Sequence, residues 1–320
     1  MRAGRISSPK RIEFVDVPMP SPKPGEVLVR MERVSICGSD LRVYDRVLPE
    51  EQYPVAPGRP CHECLGVVEE SRSDAFKPGQ RVIVFPSDSA GLKEYIAEPP
   101  SRLVAVPDWG DPSEWLMCQP VGTVLYGCQR LGSVMGQSVA VLGQGAIGLG
   151  FASLLSRLGA GQIITTDLLD YRLELSRKLG ATHTINASRE DVRAAVAEIT
   201  HGQGVDIVVE ACGRPETVNQ IWQILRKGGL VQLFGLSHDQ DSFVFNFDAM
   251  TSQLPTIMVV NSNRGGQMPK AVTECVDLVA QGRLDVSYLV THRFGMKDAQ
   301  HAFDLYSDKR DGVIKVVMEA

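Results

Sequence analysis

The sequence predicts an α/β protein of two domains, a small barrel-like β domain and a doubly wound parallel-sheet domain, and three observations carry that expectation. The first hundred residues break into short apolar runs punctuated by Pro and Gly ("RIEFVDVPMPSPKPGEVLVRMERVSIC", "LGVVEE", "GQRVIVFP", "KEYIAEP"), which is how short strands and turns read. From about Gly136, "QSVAVLGQGAIGLGFASLLSRLGAGQIITTDLLDYRLELSRKLGATHTIN" alternates an apolar strand with an amphipathic helix twice over. "VDIVVEACG", "RPETVNQIWQILRKGG", "LVQLFGL" and "TIMVV" continue that alternation to about Asn261, the pattern of a parallel sheet with helices on its faces. After one more helical stretch, about Pro269 to Gln281, the ending "GVIKVVM" returns to the texture of the first hundred residues. The expected division is therefore residues 1–121 and 263–320 in a discontinuous first domain, and residues 122–262 in the second.

Composition bounds what such a chain does. At 320 residues with 43% hydrophobic content it can bury a sizeable core. A net charge of -5 and an isoelectric point near 5.7 carry no basic excess, which argues against nucleic acid or an anionic membrane surface as a partner. No apolar run approaches the roughly 20 residues a membrane helix needs, so a cytoplasmic location is expected. Seven scattered cysteines (37, 61, 64, 118, 128, 212, 275) do not form the dense framework of small secreted domains. Small molecules and other copies of the chain are the expected partners.

"GQGAIG" places Gly143, Gly145 and Gly148 in G-x-G-x-x-G spacing. The spacing alone is weak, but here "SVAVL" enters it as a strand, "AIGLGFASLLSRLGA" leaves it as a helix, and Asp167 ends the next strand. Glycines at these positions permit a tight turn and close approach of the main chain to a pyrophosphate, whose charge meets the free N–H groups of Ala146, Ile147 and Gly148. A carboxylate at Asp167 accepts hydrogen bonds from ribose hydroxyls and repels a 2′-phosphate, so NAD(H) is expected over NADP(H). Arg172 is expected on the adenine side, and Gly235, Leu236 and Ser262, which follow the last two strands, are also assigned to the cofactor site.

Cys37, His62 and Glu63 offer a soft thiolate, an imidazole and a carboxylate, all acceptable to zinc. Neighbours on a regular strand face opposite sides. Either one of the His-Glu pair is a ligand and the other supports it, or a bend presents both. Cys61 and Cys64 form the chain's CxxC, read here as a buried thiol and a site-lining residue rather than half of a structural zinc knuckle. His183, His201, His238, His292 and His301 lack ligand spacing to a second candidate.

"CGSD" at Cys37 to Asp40, "CHE" at Cys61 to Glu63, "KPGQRV", "GQGAIG", "DLLDYRLELSRKLGA" and the final "GVIKVVM" occur in register over nearly the whole chain. In this it resembles the medium-chain dehydrogenase/reductase family, in its zinc-dependent alcohol dehydrogenase branch of the sorbitol and threonine dehydrogenase type. The resemblance implies a GroES-like β-barrel catalytic domain with a Rossmann domain, the site lying in the cleft between them. It implies a catalytic zinc acting as Lewis acid on an alcohol that passes hydride to the nicotinamide. The position of Ser39 matches the hydroxyl that takes the alcohol proton. Cys37, Ser39, His62 and Glu63 are thus the expected catalytic residues, and Cys37, His62, Glu63 and Gln119 the expected metal set.

Four positions depart from the family pattern. "VIVFPSDSAGLKEYIAEP" runs from strand to strand where many relatives insert a lobe with four cysteines, so one zinc per chain and no structural zinc is expected. Gln119 stands where relatives carry Glu, Asp or Cys near the metal, with Cys118 beside it as a weaker substitute. Arg42 stands where relatives often carry a histidine that completes a proton relay, and a guanidinium cannot relay protons at neutral pH. Cys61 replaces a glycine. Arg42, Arg59 and Arg264 raise an anionic substrate against a neutral polyol or secondary alcohol. The competing readings are a zinc-free quinone or enoyl reductase on the same fold, and a dinucleotide-binding protein that has lost catalysis. The apolar strand "TIMVV" suggests a homodimer through a sheet edge, with a tetramer as the alternative.

Overall fold

A computed structural model describes residues 1–237 and 242–320, so His238 lies outside the described residues. The chain divides into two compact units, Met1–Gly122 with Met268–Ala320, and Thr123–Gln267.

In the first unit, the hairpin of β1 (Arg2–Ser8) and β2 (Arg11–Asp16) precedes β3 (Val27–Ser35). β3 reads VLVRMERVS, and its β-branched and apolar residues Val27, Val29, Met31 and Val34 are buried, which suits a strand at the centre of a sheet. After the short α1 (Leu41–Tyr44) come β4 (Glu63–Ser71), β5 (Arg81–Val84), β6 (Tyr95–Glu98) and β7 (Leu103–Ala105). β4 pairs antiparallel with β3 along the full length of both strands, and β5 and β7 follow beside it. α2 (Pro112–Leu131) then carries the chain from the first unit into the second.

The second unit alternates β8 (Ser138–Leu142), α3 (Ala146–Arg157), β9 (Gln162–Asp167), α4 (Asp170–Lys178), β10 (His183–Asn186), α5 (Val192–Ile199), β11 (Val205–Glu210), α6 (Pro215–Ile224), β12 (Leu225–Leu233), α7 (Phe247–Gln253) and β13 (Thr256–Val259). The six strands lie in the order β10-β9-β8-β11-β12-β13, all parallel. This is the doubly wound Rossmann order, and it reverses beside β8, where such sheets bind ligands at the carboxyl ends of their strands. The apolar run of β8 and the buried Ile163 and Ile164 of β9 and Ile207, Val208 and Val209 of β11 suit strands covered on both faces.

The chain re-enters the first unit with α8 (Met268–Ala280), β14 (Val290–Gly295), α9 (Ala299–Asp308) and β15 (Lys315–Glu319). β15 pairs antiparallel with the last residues of β3, Val317 opposite Ser35, while β6 borders the first residues of β3 on that same strand. α9 anchors α1: the Tyr44 ring lies 5.0 Å from that of Phe303, and the buried Tyr44 hydroxyl donates to Asp304 Oδ1 at 2.6 Å. Among the described residues no helix is long and apolar enough to cross a membrane.

Candidate active site

Strand register determines which groups meet in the first unit. β4 starts at Glu63, opposite Ser35 of β3. β15 starts at Lys315, and continuing its register with β3 sets Lys315 across from Cys37, a pairing supported by the Ile36 N–H to Val316 O bond at 3.1 Å. Three strand ends therefore converge. The ligand atoms of Cys37, His62 and Glu63 all lie within 4.8 Å of one another. Among the described residues no other group of three His, Cys, Asp or Glu side chains gathers in this way.

His62 and Glu63 share the site because the chain bends before β4. Cys61 has φ of 108°, a region that favours glycine, and the turn frees His62 from the alternation that governs a regular strand. Cys61 occupies this position with a fully buried thiol, whose pKa burial raises well above its usual value.

Each candidate ligand has a partner that orients it. Asp40, itself buried, takes the Cys37 N–H on Oδ2 at 2.8 Å and faces His62 Nδ1 with Oδ1 at 2.9 Å, so Nε2 is the ring nitrogen left for a metal. Burial alone would lower the His62 pKa, but the Asp40 carboxylate and the Cys37 sulfur outweigh it and hold the imidazole above its usual value. Lys315, 1% exposed, donates to both Glu63 oxygens at 2.6 and 2.5 Å and to Ile36 O at 3.1 Å. Burial lowers the pKa of the ammonium, but the neighbouring Glu63, Cys37 and Tyr306 groups, with the hydrogen bond to Glu63, together outweigh it and raise it. Ser39 Oγ donates to Cys37 Sγ at 3.3 Å.

Gln119 meets the main chain beside this cluster. Its Nε2 donates to His62 O at 2.7 Å, and its Oε1 accepts from Cys64 N at 3.4 Å. Neighbouring Cys118 is hydrogen-bonded to Cys275 of α8, which together with burial raises its thiol pKa. Arg42 and Arg59 are half-buried and Arg264 is exposed.

The residues present fit a zinc ion. A thiolate, an imidazole and a carboxylate form a mixed set of the kind catalytic zinc uses, with a coordination position left open. The charges fit as well. Asp40 and Glu63 bring two buried carboxylates beside the Cys37 sulfur and the His62 ring, and a cation held by the cluster would take the place of the proton that a charged His62 carries.

In the second unit Gly143 has φ of 91°, and a Cβ there would lie 2.3 Å from Cys212 Sγ; a Cβ on Gly148 would lie 1.8 Å from Gly143 O. Only glycine closes this turn. The first hydrogen bond of α3 runs from Leu149 N to Gly145 O, leaving the N–H groups of Ala146, Ile147 and Gly148 without intrahelical acceptors. Asp167 ends β9 with Oδ2 accepting from Gln144 N at 2.7 Å and Oδ1 from Leu168 N at 2.8 Å and Leu169 N at 3.0 Å. Arg172 Nη1 lies 3.8 Å from Asp167 Oδ2. Gly235 packs against Gly213 N and the Glu210 carboxylate, Leu236 is 41% exposed, and Ser262 is buried. This unit fits a dinucleotide: a glycine turn, free N–H donors and a carboxylate at the end of the neighbouring strand.

Sequence reasoning did not assign roles to Asp40 or Lys315. The signal for Lys315 was available, a single lysine inside the apolar run "GVIKVVM", which a buried strand tolerates only beside a counter-charge.

Comparison with known proteins agrees with this geometry. A family model described as alcohol dehydrogenase GroES-like domain matches residues 23–108, and one described as zinc-binding dehydrogenase matches residues 146–281. An uncharacterized zinc-type alcohol dehydrogenase-like protein of Escherichia coli (strain K12) is 30% identical, the alignment covering 97% of each chain. A sorbitol dehydrogenase of Bacillus subtilis (strain 168) is 27% identical over 99% of this chain and 97% of its own. The solved structure of alcohol dehydrogenase TADH from Thermus sp. ATN1 superposes with a TM-score of 0.87 at 26% identity, covering 100% of both chains. Fold and site together define a zinc-type dehydrogenase with a GroES-like unit and a Rossmann unit. The chain belongs to the zinc-dependent alcohol dehydrogenase branch of the medium-chain dehydrogenase/reductase family.

Replacing Lys315 by Met leaves Glu63 as a buried carboxylate without a counter-ion. In chelator-treated protein at pH 7 we expect a loss of about 3–5 kcal/mol in denaturant unfolding, with most of it recovered in the Glu63→Gln/Lys315→Met double variant. A Lys315→Met protein as stable as the parent would show that the pair carries no such weight.

Proposed function

We propose that the protein is a zinc-dependent, NAD(H)-linked oxidoreductase that interconverts a secondary alcohol or polyol with its ketone, one zinc ion serving each chain. The observation that carries the reading is the convergence of Cys37, His62 and Glu63 within 4.8 Å, which a zinc-free reductase on this fold does not need. The sorbitol dehydrogenase among its relatives supports a polyol.

Cys37 Sγ, His62 Nε2 and the Glu63 carboxylate would hold the ion, which when bound supplies the Lewis acidity that lets a hydroxyl lose its proton near neutral pH. Asp40 keeps the His62 ring turned so that Nε2 faces the cluster, and Lys315 gives the buried Glu63 carboxyl two hydrogen bonds. Ser39 Oγ, next to Cys37 Sγ, would take the substrate proton as it passes its own hydroxyl proton to solvent water. In the Rossmann unit the N–H groups at the start of α3 bind the pyrophosphate. Asp167, held by three main-chain N–H groups, accepts from the ribose hydroxyls and repels a 2′-phosphate, which favours NAD(H). The nicotinamide supplies the hydride acceptor. Seven free cysteines suit a reducing, cytoplasmic setting.

Protein purified without chelator is expected to contain about one zinc per chain and to reduce NAD, in preference to NADP, with members of a panel of secondary alcohols and polyols. Full activity without zinc would overturn the metal's role, and equal rates with NADP would overturn the cofactor preference. Zinc and NADH bound with no turnover across the panel would favour a non-catalytic dinucleotide-binding protein.

We further infer a homodimer through β13. It is the last strand of the Rossmann sheet, and its unpaired edge carries Val259 at 76% and Ile257 at 43% exposure. Val259→Asp is expected to sediment as a monomer where the parent sediments as a dimer; an unchanged dimer would place the interface elsewhere.

A further inference from the structure

Gln119 lies buried beside the ligand-bearing chain, and its amide meets main-chain groups on both sides of Glu63. In an extended chain the C=O of residue i and the N–H of residue i+2 face the same edge. At the start of β4 those two groups belong to His62 and Cys64, one on each side of Glu63. The Gln119 amide answers both, giving Nε2–H to His62 O at 2.7 Å and receiving Cys64 N–H on Oε1 at 3.4 Å. A primary amide carries one donor face and one acceptor face, as a peptide does, and here it takes the place of a neighbouring strand. Gln119 is 2% exposed, so the pairing is shielded from competing water.

We propose that Gln119 is a positioning residue and not a metal ligand: its side-chain amide acts as a surrogate strand that pins the main chain on both sides of Glu63 and so aims His62 and Glu63 at the cation. The proposal rests on the metal reading above. Both ends of the amide are engaged by the main chain, which ties Gln119 to the backbone on either side of Glu63. The side chains it serves are fixed from their far ends as well, His62 by Asp40 and Glu63 by Lys315. A carboxylate at position 119 could still accept from Cys64 N–H, but it would set an oxygen against His62 O with no hydrogen between them. It would leave that place and become available to a cation. An amide at this position therefore serves as a clamp where a carboxylate would be free to ligate.

The test compares the parent with Gln119→Leu, which loses both hydrogen bonds, and Gln119→Glu, which keeps the size and the acceptor and serves if the leucine variant does not fold. In metal-free protein, exchange of the Cys64 amide hydrogen is expected to quicken about tenfold in Gln119→Leu, and also to quicken in Gln119→Glu. In cobalt-loaded protein, Gln119→Leu is expected to keep the position and intensity of the ligand-field and thiolate charge-transfer bands while binding the metal about 10–100-fold more weakly. Gln119→Glu is expected to shift the ligand-field bands as its carboxylate joins the metal. Unchanged Cys64 exchange in the variants overturns the proposal, and so does a band change in Gln119→Leu that reports a lost ligand. A parent protein that takes up neither zinc nor cobalt overturns the metal reading instead, and the exchange measurement then still decides whether the clamp exists.

Discussion

Buried charge at the meeting of three strand ends is the constraint around which the first unit is organised. Cys37 follows β3, Glu63 opens β4 and Lys315 opens β15, while Asp40 lies buried in the turn between Cys37 and α1. Charges removed from water are tolerated only when paired and hydrogen-bonded. Lys315 meets Glu63, and Asp40 meets the Cys37 N–H and His62. The discontinuous course of the chain follows from this requirement. Lys315 lies 252 residues after Glu63, and it is the antiparallel pairing of β15 with β3 that delivers it.

The second unit meets its requirement by backbone means. A pyrophosphate needs close approach and free N–H groups, and the glycine turn after β8 provides both without a basic side chain. Beside that turn lies one carboxylate, Asp167, whose orientation is fixed by N–H groups from the glycine turn and from the loop after β9. Chemistry on the first unit is thus built from side chains held by side chains, and recognition on the second from a main chain that no side chain obstructs.

The Rossmann unit was legible because its signals are local: an apolar strand, a glycine turn, a helix and an acid at the end of the next strand occur within one stretch. The ligand types at Cys37, His62 and Glu63 were legible for the same reason. What stayed hidden depends on register and hydrogen-bond direction. Alternation along a strand argued against His62 and Glu63 acting together, and it was the φ of Cys61 that removed the objection. Asp40 could be seen as part of a motif but not as the group that fixes a ring nitrogen, and Lys315 could be seen as an oddity in an apolar run but not as the partner of Glu63. For Gln119, residue type suggested a weak ligand, whereas the direction of its two hydrogen bonds points to the main chain.

The account turns on which atoms surround the metal. X-ray absorption at the zinc edge of the loaded protein measures them directly. A single sulfur at about 2.3 Å, from Cys37, with nitrogen and oxygen neighbours at about 2.0–2.2 Å, is the predicted shell. Two or more sulfurs, which would bring Cys61 or Cys64 into the site, or none at all, would contradict it.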